Sequence, residues 1–282
     1  MTITVTPLSP ACGAEIGGVD LRRPLAPDDV AAIRQAWLDH LVIVFRKQEL
    51  EEEDQIRFAA ALGKVGDYLR PKTLRHVDHV KYSNSVMLIS NIRDEEGNPI
   101  GSLPDGEMMF HTDTVYDANP HAGTSLYAIE IPSRGGHTLF SNQYQVYDAL
   151  PAQVRERLAG RQAMNVFEFG TTMKAKARYD RSVAPHHPHP VFRRHPETGR
   201  LAVYVNELTT EEVLDFPEEE GKAILGEIYA LQKRPEFVYE HAWQIGDLLL
   251  WDNRCTMHAR TDFPRTDRRL LRRVTIEGDR PV

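Results

Sequence analysis

The segment FVYEHAWQIGDLLLWDN (residues 237–253) holds two apolar runs separated by Gly246 and Asp247. Short runs rich in aromatic and branched side chains, bounded by turn residues, are typical of β-strands. A glycine and an aspartate between two such runs predict a hairpin turn. The segment therefore favours β-structure in the C-terminal part of the chain.

The same pattern begins near residue 86 and recurs to the C-terminus. Many short strands punctuated by turn residues favour a sandwich or jelly roll, whose outer face flanking helices can cover. The other predicted strands are SVMLISNI (85–92), TSLYAIEI (124–131), HTLFSN (137–142), NVFEF (165–169), LAVYVN (201–206) and RRVTIEGD (272–279).

Several predicted helices accompany these strands. In the first, Val30, Ile33 and Trp37 recur at the spacing of an amphipathic helix. The predicted helices cover residues 26–40, 51–62, 152–159 and about 218–232. With the apolar strand at 41–45, the first two form an N-terminal α/β segment of about residues 1–65. We therefore predict an α+β, mainly β protein with one domain over residues 1–282, whose β-rich core covers about 86–282.

The composition is that of an ordinary folded protein, with 41% hydrophobic and 27% charged residues. The formal charge is -7 and no basic run carries interleaved aromatics, so we expect no nucleic-acid partner. No apolar run approaches the roughly 20 residues needed to span a bilayer, so we expect no membrane association. The two distant cysteines, Cys12 and Cys255, indicate a reducing compartment, and a cytoplasmic location follows by default.

Residues 170–190 (GTTMKAKARYDRSVAPHHPHP) are polar and interrupted by prolines. An irregular stretch of this length is unusual in a compact domain and is often functional. We interpret the region of about 165–190 as a lid or binding loop.

His111 and Asp113 stand two residues apart in MMFHTDTVYD (residues 108–117). On an extended chain, side chains two apart point to the same face, so a nitrogen and an oxygen donor would share one site. An isolated His-x-Asp pair is nevertheless more typical of a polar strand end than of a metal site.

His258, just beyond the apolar run LLLWDN, supplies a third possible donor. Two histidines and one carboxylate on one face of a metal leave three positions open, which suits non-haem Fe(II) and oxygen chemistry. A buried, hydrogen-bonded imidazole is the alternative for His258. Cys255, three residues earlier, could form a Cys-x-x-His zinc half-site, but the chain has no second thiolate pair to complete it.

The chain resembles the taurine dioxygenase family of Fe(II)- and 2-oxoglutarate-dependent oxygenases, which includes the 2,4-dichlorophenoxyacetate dioxygenases. The resemblance extends over nearly the whole chain, in the family's order. It is carried by GAEIGGVDLRRPL (13–25), FHTD (110–113), PSRGGHTLFSN (132–142), HPVFRRHPETGRLAVYVN (189–206), GDLLLWDNRCTMHAR (246–260) and RRLLRRVTI (268–276).

The resemblance implies a double-stranded β-helix, the jelly-roll core of these oxygenases. It implies that His111, Asp113 and His258 bind iron and that 2-oxoglutarate and O2 are cosubstrates. It also places Thr138 and Arg269 at 2-oxoglutarate. A guanidinium fork and a hydroxyl suit the distal carboxylate of such a dicarboxylate.

Three further residues are candidates for contact with a small anionic primary substrate. Arg273 shares a strand face with Arg269 and matches a family position that binds a sulfonate or carboxylate. Glu107 replaces a substrate-contacting asparagine of the family, so either it turns to solvent or the substrate also carries a donor or positive group. Arg70 lies near another family substrate contact, although a solvated arginine is the alternative.

The resemblance also implies a homo-oligomer, a dimer or tetramer, because relatives commonly form these. It leaves the primary substrate open among sulfonates, alkyl sulfates and aryloxyalkanoates, hydroxylated with or without C–O, C–N or C–S cleavage. Histidines 186, 187 and 189 are not expected to form a second metal site, since the family carries a His-Pro there as ordinary structure. The alternative functions are a zinc-dependent hydrolase and a non-catalytic jelly-roll binding protein.

Overall fold

The computed structural model describes residues 2–67, 83–102, 107–167 and 184–282, and within them the protein is mainly β with few helices. The strands are β1 (Thr4–Pro7), β2 (Ala14–Gly17), β3 (Val42–Phe45), β4 (Val86–Ser90), β5 (Met108–His111), β6 (Gly123–Glu130), β7 (Thr138–Asn142), β8 (Gln162–Val166), β9 (His186–Pro190), β10 (Phe192–Arg194), β11 (Leu201–Val203), β12 (Thr210–Val213), β13 (Val238–His241), β14 (Leu248–Asp252), β15 (Thr256–Arg260) and β16 (Leu270–Ile276). The helices are α1 (Pro27–His40), α2 (Glu52–Leu62), α3 (Gln143–Ala149), α4 (Ala152–Leu158) and α5 (Glu218–Gln232).

Two sheets form the body of the protein. One has the strand order β1-β2-β3-β14-β6-β16-β4, and the other has the order β13-β7-β15-β5, with β5 at its end. A buried apolar cluster lies between them. Phe140 and Tyr239 contribute to it from the smaller sheet, and Leu126, Leu249 and Trp251 contribute from the larger one. The two sheets therefore face each other across a shared core.

The outer face of the larger sheet is covered by α1 and α2. Leu248 and Leu250 of β14 pack there with Trp37 and Phe58, whereas Leu249 of the same strand faces the other sheet. A strand buried on both faces needs apolar side chains in both orientations. This double burial explains why residues 248–251 are continuously apolar.

The predicted hairpin within residues 237–253 is wrong. β13 pairs with β7, whereas β14 pairs with β3 and β6, so the two strands belong to different sheets. Gly246 adopts a φ of 82°, and the Asp247 carboxylate accepts hydrogen bonds from His241 Nε2 at 3.1 Å and from the Gln244 backbone at 2.8 Å. The turn thus carries the chain from one sheet to the other.

Part of the region interpreted as an irregular loop forms a strand. Residues 186–190 are β9, paired with β8 at the edge of a small sheet of order β12-β8-β9. The prediction of irregular structure is therefore wrong for these residues, while residues 168–183 lie outside the described part of the chain. An edge strand tolerates Pro188 and Pro190 because only one of its sides must donate hydrogen bonds.

The four predicted helices are confirmed to within a residue at either end as α1, α2, α4 and α5. The sequence reasoning missed α3. Asn142 begins this helix, because its Oδ1 accepts hydrogen bonds from the backbone nitrogens of Tyr144 and Gln145 at 3.1 and 3.2 Å. Across the described residues, every helix is too short or too polar to pass through a lipid bilayer.

Candidate metal and cosubstrate site

One row of side chains crosses the inner face of the smaller sheet. Phe140 of β7 is paired with His258 of β15, which is paired in turn with His111 of β5. Directly paired residues point to the same face of a sheet, so the two imidazoles become neighbours. Their ring centroids lie 4.2 Å apart. His258 therefore lies on a strand neighbouring that of His111.

Asp113 meets these imidazoles from just beyond the end of β5. Its Oδ1 lies 3.9 Å from His258 Nε2, and the donor atoms of His111, Asp113 and His258 all lie within 4.8 Å of one another. Its other oxygen, Oδ2, accepts a hydrogen bond from Thr124 Oγ1 at 2.6 Å and an ion pair from Arg273 Nη2 at 3.0 Å. Oδ1 is therefore the oxygen that can complete a three-donor site.

Both imidazoles are held in the neutral form that a metal ligand requires. His111 Nδ1 lies 2.9 Å from the carbonyl oxygen of Met109, which can only accept, so Nδ1 carries the proton and Nε2 keeps a lone pair. Burial lowers the pKa of His111. Burial and, secondly, the neighbouring His111 lower the pKa of His258 to about 3. Protons therefore do not compete for these nitrogens near neutral pH.

Asp113 is kept ionised in the same place. Burial alone would raise the pKa of its carboxyl group, but the Arg273 guanidinium and the hydrogen bond from Thr124 hold that pKa well below its usual range. The donor set is thus two neutral imidazoles and one carboxylate, which fits a divalent metal such as Fe(II) and leaves positions for other ligands.

A second cluster of possible ligands, His195, Asp252 and Cys255, does not offer a comparable site. His195 Nε2 donates to Asp252 Oδ2, and His195 Nδ1 accepts from the backbone nitrogens of residues 197 and 198. Arg254 pairs with both carboxylate oxygens of Asp252, at 2.8 and 2.6 Å. The imidazole and carboxylate donors are therefore engaged in a buried network that supports the turn between β14 and β15.

Thr138 lies in the neighbouring row of the same sheet. It is paired with Arg260 of β15, two residues from His258 and thus roughly 6.6 Å along the strand. Thr138 is buried, and its Oγ1 accepts a hydrogen bond from Trp243 Nε1 at 3.0 Å. An indole only donates, so the hydroxyl proton of Thr138 remains available to an acceptor such as a carboxylate.

Arg269 is a buried cation near this row. It is 2% exposed, and among the described residues its Nη1 has no hydrogen-bond partner. Burial and the nearby Arg260 lower the pKa of Arg269 to about 9. A Cβ placed on Gly136, two residues before Thr138, would lie 3.5 Å from Arg269 Nε. A buried guanidinium beside a second one is the environment in which an anionic ligand is favoured.

The three candidate substrate residues have different outcomes. Arg273 pairs with Asp113 and its buried Nε has no hydrogen-bond partner in the described part of the chain, so it retains a donor beside the site. Glu107 is exposed to solvent, in line with the first of the two alternatives for it. Arg70 lies outside the described residues.

Sequence reasoning missed Thr124, Asn253 and Arg260 as neighbours of the site. Arg260 could have been found, because it lies two residues after His258 on the same strand and therefore shares its face. Thr124 and Asn253 gave no such signal, since their importance depends on contacts between strands that are distant in the chain.

The chain is similar to a protein family and to individual proteins of known activity. Residues 4–275 match the model of the family described as taurine catabolism dioxygenase TauD, TfdA family. The chain is 35% identical over 299 residues to pentalenolactone F synthase of Streptomyces avermitilis, a match that covers 100% of this chain and 96% of that protein. It is 30% identical over 293 residues to the alpha-ketoglutarate-dependent 2,4-dichlorophenoxyacetate dioxygenase of Cupriavidus pinatubonensis, which covers 100% of both proteins.

Solved structures show the same relationship. A taurine dioxygenase from Burkholderia xenovorans superimposes with a TM-score of 0.82 and 32% sequence identity. That match covers 99% of this chain and 92% of the other.

Proposed function

This chain belongs to the taurine catabolism dioxygenase TauD, TfdA family, and we propose that His111, Asp113 and His258 are the ligands of its iron. The protein is an Fe(II)- and 2-oxoglutarate-dependent dioxygenase, and the family inferred from the sequence is confirmed. The observation that carries the ligand assignment is the convergence of two neutral imidazoles and one carboxylate oxygen within 4.8 Å.

The remaining residues then take distinct roles around the metal. Bound iron, with 2-oxoglutarate and O2, supplies oxidising power, because the cosubstrate is decarboxylated to succinate and CO2 while one oxygen atom enters a substrate C–H bond. Arg269 and Thr138 bind the distal carboxylate of 2-oxoglutarate through charge-assisted and hydroxyl hydrogen bonds. The surrounding sheets exclude water and fix the orientation of both substrates.

The primary substrate is, in this proposal, a small organic acid such as a sulfonate, an alkyl sulfate or an aryloxyalkanoate. A relative whose name specifies 2,4-dichlorophenoxyacetate supports an aryloxyalkanoate, and Arg273 supplies a cation for the acid group. Where the hydroxylated carbon bears a heteroatom, the product can collapse with cleavage of the C–O, C–N or C–S bond. We further propose that the two facing sheets are a double-stranded β-helix within one domain. We also propose that the protein is a cytoplasmic dimer or tetramer.

Anaerobic addition of Fe(II) and 2-oxoglutarate to the purified protein tests this function. We expect a visible charge-transfer band of the chelate, followed in air by succinate release with an acceptable acid from a panel of sulfonates, sulfate esters and aryloxyalkanoates. If the protein gives no band and its metal site is fully occupied by zinc, a zinc-dependent hydrolase would be supported. If the band is absent whichever metal is added, a non-catalytic binding protein would be supported. Neither alternative is supported by the relatives whose names specify alpha-ketoglutarate-dependent dioxygenases.

The Arg273→Ala variant tests the substrate assignment. A charge-assisted hydrogen bond contributes about 1.5–3 kcal/mol, so we expect KM for the primary substrate to rise roughly 10- to 100-fold. Because Arg273 also pairs with Asp113, Fe(II) is supplied at saturation, and the KM for 2-oxoglutarate should then change much less. Steady-state kinetics with each substrate varied in turn give both values, and a larger effect on 2-oxoglutarate would reject the assignment. Arg273→Lys keeps the charge without the planar fork, so its KM for the primary substrate should lie between those of the unchanged protein and Arg273→Ala.

A further inference from the structure

A directional chain of hydrogen bonds ends on the carboxylate of Asp113. The indole Nε1 of Trp251 donates to Asn253 Oδ1 at 2.8 Å, and Asn253 Nδ2 donates to Thr124 Oγ1 at 2.9 Å. Thr124 Oγ1 in turn donates to Asp113 Oδ2 at 2.6 Å. All four side chains are buried, so water cannot substitute freely for any of these partners.

The direction of this chain follows from what each group can do. An indole nitrogen can only donate, which fixes the Asn253 oxygen toward Trp251 and its amide nitrogen toward Thr124. The hydroxyl oxygen of Thr124 therefore accepts from Asn253, and its single proton is free to point at Asp113. Because an ionised carboxylate can only accept, the donor and the acceptor of every hydrogen bond in this chain are fixed by the groups at its two ends.

We propose that Thr124 and Asn253 are positioning residues that make Asp113 a one-oxygen metal ligand. The inference rests on the proposed metal site. The Thr124 hydroxyl and the Arg273 guanidinium both occupy Oδ2, and this leaves Oδ1 as the oxygen that faces His258. Without the hydroxyl, the carboxylate could rotate and offer both oxygens to the ion, removing a position that the cosubstrate or O2 needs. Outer hydrogen bonds of this kind commonly change metal affinity by about 10- to 100-fold.

The sequence context explains why these two residues can meet. Thr124 lies on β6 and is paired with Trp251 of β14, while Asn253 directly follows β14. The backbone of Asn253 also donates to the carbonyl of Ala122, so the turn after β14 is held against the start of β6. The Asn253 amide therefore lies against the Thr124 hydroxyl, and that hydroxyl lies against Asp113, just beyond the end of β5.

The Thr124→Val variant is the principal test, because valine has the shape of threonine without the donor. Anaerobic calorimetric titration with Fe(II) alone should give a Kd about 10-fold or more above that of the unchanged protein. Titration with Co(II) should also change the visible d–d spectrum, which reports coordination number. Thr124→Ser, which retains the hydroxyl, should restore both the affinity and the spectrum.

Matched variants separate positioning from packing. Thr275 is directly paired with Thr124 on β16 and is also buried, so Thr275→Val is the control and should bind Fe(II) like the unchanged protein. Asn253→Ala should weaken Fe(II) binding in the unchanged background but add little to Thr124→Val, because Asn253 acts through the hydroxyl. If Thr124→Val does not fold, Thr124→Ala removes the same hydroxyl without adding volume.

The outcomes distinguish this inference from the function on which it rests. An unchanged protein that binds no Fe(II) would overturn the proposed metal site. An unchanged protein that binds Fe(II), together with a folded Thr124→Val or Thr124→Ala that binds it within twofold and gives the same Co(II) spectrum, would overturn only the positioning role.

Discussion

Replacing His111 with alanine is expected to abolish substrate-dependent succinate formation, with at least about a 1,000-fold loss of turnover. His111 is one of three donors within 4.8 Å, and its proton is fixed on Nδ1 by the Met109 carbonyl, so Nε2 is the atom that the metal would lose. Iron content after anaerobic reconstitution measures the loss of metal binding. Succinate release in air measures the loss of turnover.

A matched histidine variant makes the result specific. His186 is exposed on β9, so His186→Ala removes an imidazole of the same size without touching the three donors. It should bind iron and release succinate like the unchanged protein. Full retention of iron and turnover in His111→Ala would contradict the ligand assignment, as would the same result for Asp113→Ala.

The Arg269→Ala variant should raise the Kd of 2-oxoglutarate by about 100-fold or more. Two charge-assisted hydrogen bonds to a carboxylate contribute on the order of 1.5–3 kcal/mol each, and about 1.4 kcal/mol corresponds to a tenfold change. The anaerobic charge-transfer band, titrated with 2-oxoglutarate at fixed Fe(II), gives the Kd directly. The effect on KM for the primary substrate should be small by comparison.

Two comparisons make the Arg269 experiment decisive. The adjacent Arg268 is exposed and pairs with Glu130, so Arg268→Ala should leave 2-oxoglutarate binding unchanged. 2-Oxopentanoate has the same chain length without the distal carboxylate, and its weaker binding should be the same in the unchanged protein and in Arg269→Ala. An unaltered Kd for 2-oxoglutarate in Arg269→Ala would refute the assignment.

Much of the fold followed from local patterns in the sequence. The helix periodicities and the apolar runs depend on neighbours within a few residues, and those elements are present. The pairing of β13 and β14 could not be read in this way. β14 is buried throughout and β13 only in part, but neither degree of burial reveals that their partners lie in different sheets.

Two of the strands that were missed, β1 and β9, lie at sheet edges. β9 is the polar sequence HHPHP, and its prolines are tolerated only because the strand lies at a sheet edge, which is a property of the assembled sheet. β1 is exposed at every residue and also lies at an edge. β9 shows no apolar alternation of the kind by which half-buried strands are predicted, and β1 has a single apolar side chain, Val5, between two threonines.

The site was predictable where family motifs supplied the distant partner. His111 and Asp113 share a face by spacing alone, but the meeting with His258 depends on β5 and β15 being neighbours. The resemblance to a known family supplied that information. It gave no indication of Thr124 and Asn253, whose buried polar side chains have meaning only through the carboxylate that they contact.

The position of β5 at the end of its sheet has a mechanical consequence. Residues 108–111 are bordered by β15 on one side, yet His111 and the adjoining Asp113 provide two of the three donors. An ion bound between them and His258 would act as a cross-link from the outermost strand to the interior one. Loss of the ion would then favour the separation of β5 from β15. The three donors of the proposed metal site would therefore also protect the protein against local unfolding.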